Sequence, residues 1–229
     1  MKEFVNTVPG TDQLKEKEYL RFMAVPGAQK KVLIVGNSIT RHGPKADIGW
    51  YGDWGMAASE PEKDYVHLVE KGLTEYFGPV SLCVAQASAW ESCEHAAKSR
   101  ILQERYRKAA DFGADIVIIR IGENIDPGKT DVQELAADFE ELIRYFTGKR
   151  PDGKVVITGM FWQLPEQEAA VKLAAERGKY HFVELKSLGM DERMTAKGLF
   201  EHEGVAGHPG DMGMQQIAKR ILEAVKQEI

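Results

Sequence analysis

Three short stretches carry residue types that together do one kind of chemistry. Gly36-Asn37-Ser38-Ile39-Thr40 sets a hydroxyl beside a glycine that permits a tight backbone. Gly122-Glu123-Asn124 supplies a carboxamide N–H₂. Gly207-His208-Pro209-Gly210 holds an imidazole in a stiffened loop. A serine hydroxyl becomes a good nucleophile when a positioned base takes its proton, and histidine is the usual base. An amide donor aimed at a developing oxyanion is among the larger sources of rate. Singly, each stretch has a plainer reading: Ser38 caps a turn, Asn124 ties down its own loop, His208 is structural. The ordered set of nucleophile, oxyanion donor and base is what points to a site. Ser at position 38 and Arg at 41 break the dinucleotide pattern Gly-x-Gly-x-x-Gly, and Thr40 breaks the Gly-x-Ser-x-Gly elbow.

These stretches need elements that bring them together. Lys31–Gly36 is a short apolar, β-branched run suited to a strand buried on both faces, and similar runs recur at Val80–Ala85, Asp115–Ile121, Lys154–Met160 and Tyr180–Leu185. Between them lie helical periods. Glu62–Phe77 aligns Tyr65, Leu68, Val69, Leu73 and Tyr76 on one stripe, and Asp131–Phe146 aligns Leu135, Phe139, Leu142, Ile143 and Phe146. A last helix covers Met212–Ile229, with Asp211 as its N-cap. Strands alternating with helices predict a three-layer α/β/α sandwich around a five-stranded parallel sheet, of the flavodoxin-like kind. In such sheets ligands bind beyond the carboxyl ends of the strands, where all three stretches fall.

Composition sets the outer bounds. The chain has 229 residues, 43% hydrophobic and 28% charged, with a formal net charge of -5. That is ordinary globular composition, and the mild acidity argues against nucleic acid as a partner. No apolar run long enough to span a membrane occurs, and the N-terminus lacks a secretion signal, so the expectation is a cytoplasmic protein without membrane attachment. Cys83 and Cys93 cannot make a disulfide framework. No Cys or His spacing suits a metal, and no cofactor is expected. Residues 1–30 read as an N-terminal extension packed on a domain of residues 31–229, and self-association is left open.

The ordered set resembles the SGNH (GDSL-like) hydrolases over nearly all of the chain after Lys31. Gly36-Asn37-Ser38-Ile39-Thr40 is similar to that family's first block, Gly122-Glu123-Asn124 to its third, and His208-Pro209 to its last. The resemblance implies ester hydrolysis through an acyl-serine. Ser38 is then the nucleophile and His208 the base; the Ser38 N–H and the Asn124 side chain hold the oxyanion, with the backbone N–H of Trp90 as a further donor where the family has Gly. Asn37 replaces the family's Asp. The family's acid position, three residues before the histidine, is Val205. Orientation of His208 then falls to Glu203, to Glu201 or to the Val205 carbonyl.

The loop 41–59 follows the nucleophile directly and carries Trp50, Tyr51 and Trp54 among glycines. With Trp90 and Trp162 at strand ends, these rings either stack on a sugar or pack the loop onto the domain. Trp50, Trp54, Trp162 and Asp53 are the candidate substrate contacts, His42 another. The expected substrate is a small or oligosaccharide O-acyl ester, O-acetyl in particular. A catalytically silent carbohydrate-binding module on the same fold is the alternative, and a flavin- or nucleotide-binding sandwich a third reading.

Overall fold

The computed structural model describes residues 16–126, 128 and 131–228. Five parallel strands form the centre of the sheet: β2 (Lys30–Gly36), β3 (Val80–Gln86), β4 (Ile116–Arg120), β5 (Lys154–Thr158) and β6 (His181–Val183). A sixth, β1 (Leu20–Met23), pairs antiparallel with β3, giving the order β1-β3-β2-β4-β5-β6. The sheet therefore has one more strand than the sequence suggests, and it comes from the stretch read as an extension. Residues 1–15 of that stretch lie outside the described residues.

Alternation along the strands builds the layers. Leu33 and Val35, with Val117 and Ile119, face one core; Val32 and Ile34, with Ile116 and Ile118, face the other. Both faces being apolar explains why the strands read as unbroken hydrophobic runs. The second core is closed by α1 (Tyr65–Phe77), the first by α3 (Lys98–Arg105), α4 (Arg107–Asp111), α5 (Val132–Thr147) and α6 (Pro165–Gly178). Short α2 (Ser88–Ser92) precedes α3, and α7 (Lys186–Gly189) and α8 (Glu203–Ala206) precede the long α9 (Asp211–Gln227), which packs on α1. Tyr65, Val69 and Leu73 are buried as their spacing predicts, whereas Tyr76 is exposed.

The N-cap of α9 is Gly210 rather than Asp211. Asp211 instead accepts the Ser59 N–H and hydroxyl at 2.8 and 2.7 Å, clamping the end of the aromatic loop to the last helix. Among the described residues no helix is long and apolar enough to cross a membrane.

Candidate active site

The parallel strands run in the flavodoxin-like order, and the chain reverses direction across the sheet at β2. The crevice beyond the carboxyl ends of β2 and β4 is where such sheets place ligands. Gly36 ends β2 there, and a Cβ on it would fall 1.7 Å from the Thr40 hydroxyl and 2.8 Å from the Arg120 carbonyl, so only glycine fits. The chain then turns tightly, with the Thr40 and Arg41 N–H groups both donating to the Asn37 carbonyl at 3.0 Å. Ser38 sits at the head of this turn, half-buried. Its own N–H has no partner among the described residues, which leaves it free to donate into the crevice.

His208 reaches Ser38 from 170 residues away, with Nε2 2.8 Å from Oγ. Its Nδ1 lies 2.6 Å from the Gly204 carbonyl oxygen. A carbonyl oxygen can only accept, so Nδ1 carries the proton and Nε2 offers its lone pair to the Ser38 hydroxyl. That is the tautomer a general base needs. The loop is held from both sides: the His208 carbonyl accepts from Ala196 N–H at 2.9 Å, and the Trp162 indole donates to the Gly207 carbonyl at 3.0 Å. The Trp162 ring stands edge-on to the imidazole, 5.2 Å between centroids.

The acceptor at Nδ1 is thus neither Glu203, Glu201 nor the Val205 carbonyl. Glu203 opens the short α8 and is exposed, and the turn of that helix aims the Gly204 carbonyl at the ring instead. The Val205 carbonyl is taken by the His208 N–H at 3.0 Å. The Val205 side chain is fully buried against Trp50, Met56, Ala57 and Ala196. An acid at this position would point into that apolar cluster, not at the imidazole. Val205→Asp is therefore expected to cost about 3–5 kcal/mol of stability, as an unpaired buried charge does, without raising turnover. Urea unfolding checks the first part; a more active variant of wild-type stability would contradict the geometry.

Burial pushes the His208 pKa down to about 4, against the pull of the Gly204 carbonyl and with help from the nearby Arg120 charge. A general base works in its neutral form, so the rate is lost as pH falls through the imidazole pKa. In an esterase using this pair, kcat/KM should hold from pH 7 down past 5 and fall only near pH 4. A limb centred near 6.5 would instead describe a solvated ring.

Behind Ser38 lies a buried polar network. Arg120, at the end of β4, is fully buried and donates to the Asn37 side-chain oxygen at 2.8 Å while pairing with Glu123. The Asn37 amide donates to Glu123 at 2.7 Å and to Glu91 at 3.0 Å. This accounts for Asn beside Ser38: aspartate has no proton to give, and would be a third carboxylate around one guanidinium. Glu91 also accepts from the Gly122 and Asn124 N–H groups at 2.7 and 3.2 Å and from the Asn124 side chain at 2.6 Å. Gly122 makes this loop with φ +139, where a Cβ would also strike Met160. Beside Asn124 opens a cavity of about 540 Å³ lined by Glu91, Cys93, His95, Lys98 and Asp126 among others.

Several sequence candidates lie elsewhere. The Trp90 N–H donates to the Ala87 carbonyl at 2.9 Å inside the turn of α2 and is not an oxyanion donor. Its ring is buried, packed on Phe139 at 5.3 Å with Lys98 Nζ 4.0 Å above it. Trp50 is buried, donating to the His42 carbonyl at 2.9 Å and packed on Trp54 and Phe200. Trp54 donates to the Ala58 carbonyl at 2.9 Å. Both N–H groups bond within the loop itself, and the rings pack it onto the domain. Asp53 is engaged by Arg41, at 2.8 and 3.1 Å, and by Arg21 of β1, so its carboxylate is spent on anchoring. Of the four aromatic and acidic candidates, Trp162 alone stands beside His208. Sequence reasoning missed Glu91 and Arg120 altogether, and gave Glu123 no role. Among the described residues no group of His, Cys, Asp and Glu is arranged to hold a metal.

This architecture is shared with known structures. A protein of Parabacteroides merdae described as a GDSL-like lipase aligns at a TM-score of 0.58, with 18% identity over 87% of this chain and 96% of that one. A family 3 carbohydrate esterase of Clostridium thermocellum gives 0.58, 15% identity, 86% and 96%. The esterase EstA of Pseudoalteromonas, inhibited by monoethylphosphonate, gives 0.54, 11% identity, 86% and 97%. The chain has the SGNH/GDSL hydrolase fold. No protein-family model and no curated protein sequence matches it.

Proposed function

We propose that this protein is a serine esterase that removes O-acyl groups, acetyl foremost, from a carbohydrate. The observation that carries the reading is the 2.8 Å pairing of Ser38 Oγ with a His208 Nε2 left unprotonated by the Gly204 carbonyl. Ser38 Oγ bonds to the ester carbonyl carbon as its proton passes to His208 Nε2. The carbonyl oxygen, now anionic, is met by the Ser38 N–H and the free amide proton of Asn124. Collapse breaks the bond to the alcohol oxygen, which takes the proton from His208 and leaves. Water then attacks the acyl-serine, His208 again taking and returning one proton, and carboxylic acid and free Ser38 result. The Gly204 carbonyl fixes the tautomer throughout but offers the imidazolium a dipole where an acid would offer a charge.

The substrate class is supported by the cavity beside Asn124, whose walls set carboxylates, an imidazole and an amide among apolar surface. Such walls suit a polyhydroxylated alcohol better than a lipid chain. Two proteins of like fold are named carbohydrate esterases.

The test is a fluorophosphonate probe followed by assay on acetylated sugars. Phosphonylation at Ser38, with acetate released from an acetylated sugar, supports the esterase. An unlabelled Ser38 would mean a silent binding module, and labelling with preference for long-chain esters would overturn the carbohydrate assignment.

A further inference from the structure

One buried carboxylate joins the loop after β2 to the loop after β4, yet touches neither Ser38 nor His208. Glu91 is 2% exposed and sits on α2, far in sequence from both blocks it joins. Its Oε1 accepts from the Asn37 side chain and from the backbone N–H groups of Gly122 and Asn124; its Oε2 accepts from the Asn124 side chain at 2.6 Å. Four contacts, all from N–H donors, suit the ionised, acceptor-only form, against burial and the neighbouring Glu123, which push the Glu91 pKa up. They also decide which way the Asn124 carboxamide faces. The N–H₂ end must turn to Glu91, which takes one of its protons and leaves the second without an acceptor among the described residues; a flipped amide would set two oxygens against each other.

The helix that carries Glu91 is itself pinned. Lys98 Nζ donates to the Trp90 carbonyl at 2.8 Å, the Cys93 thiol donates to the same oxygen at 3.3 Å, and the Trp90 ring is wedged on Phe139. Trp90 therefore acts one residue away from where the sequence suggests, as the anchor for its neighbour. Asn37 closes the circuit, holding Glu91 and Glu123 apart with one N–H₂ while Arg120 supplies the positive charge between β2 and β4.

We propose that Glu91 is a positioning residue for the oxyanion hole, fixing the orientation of the Asn124 carboxamide through paired side-chain and backbone contacts. This rests on the esterase reading, in which Asn124 receives the oxyanion. A misoriented donor fails chiefly in the transition state, so the loss should fall on kcat and leave KM nearly untouched.

Glu91→Gln keeps the shape but sets an amide N–H₂ or a single oxygen where two acceptors stood. On p-nitrophenyl acetate it should lower kcat about 10–100-fold with KM within about twofold. Added to Asn124→Ala it should cost almost nothing more, because the group it orients is gone. Multiplying losses in the double variant, or wild-type kcat in Glu91→Gln, would overturn the proposal. A structural role alone would lower stability and multiply. Glu91→Asp, which keeps the charge and loses the reach to Asn124, serves if the glutamine variant does not fold, with the same kcat loss expected. A second readout does not need activity: the Asn124 side-chain amide protons in NMR spectra. In the wild type one of the pair should be protected from solvent exchange, and Glu91→Asp should remove that protection. Two unprotected protons in the wild type would sink the inference even if no ester is turned over, whereas a protected proton in an inactive protein would sink the esterase reading alone.

Discussion

Replacing Ser38 by alanine should lower p-nitrophenyl acetate hydrolysis by about 10⁴-fold or more, with no loss of folding. The magnitude follows from what remains. In full Ser-His-acid triads the loss of either nucleophile or base costs about 10⁶ in kcat, and the residual rate comes from the oxyanion donors and binding. Here the acid is replaced by a backbone carbonyl, so the starting rate already forgoes part of the imidazolium stabilisation, and the fall is correspondingly smaller. Ser38 makes its side-chain contact with His208, so removing the hydroxyl disturbs no core packing. Wild-type turnover in the alanine variant would place the nucleophile elsewhere. The assay must include active-site titration, since trace contaminating esterase sets a floor at this depth.

The second large effect is on the base. His208→Ala should cost about as much as Ser38→Ala, and the double variant no more than either. An alkoxide does not form at neutral pH without a base, and a base has nothing to act on without the hydroxyl; residues that act as one unit are not additive. Multiplied losses would mean that His208 and Ser38 serve separate steps. The two single variants also differ in one useful way. His208 packs against Trp162 and pairs with Gly204, so its removal should quench or shift indole fluorescence from that tryptophan while Ser38→Ala leaves it unchanged.

Much of this could be read from residue order, and the exceptions have physical causes. The five parallel strands declare themselves because both faces are buried, leaving Val32-Leu33-Ile34-Val35 and Ile116-Val117-Ile118-Ile119 unbroken. β1 does not, because an edge strand with one exposed side and an arginine in four residues carries no apolar run. The pairing of Ser38 with His208 is legible because a hydroxyl and an imidazole are residue types whose chemistry can be read directly. The partner of His208 Nδ1 is not, since a backbone carbonyl has no residue type to signal it; Gly204 could as well be any residue. The indoles of Trp50 and Trp54 were ambiguous for a related reason. An aromatic ring on a loop suits a ligand or a core equally, and only the acceptors their N–H groups find, His42 and Ala58 carbonyls, separate the two. Glu91 was invisible because its partners lie 31 to 54 residues away on two different loops.

The four-residue strand at the edge bears on how this protein is to be handled. A gene trimmed to begin at Lys31, where the sequence alone would draw a domain border, strips the neighbour from β3 and leaves the backbone of Leu82–Ala85 open along one side. That bared margin is apolar and ready to recruit another chain, so the shortened product should clump rather than stay monodisperse. It would also cut the Arg21 tether to Asp53 that braces the aromatic loop. Leu20–Met23, within what looks like a dispensable leader, are part of the sheet.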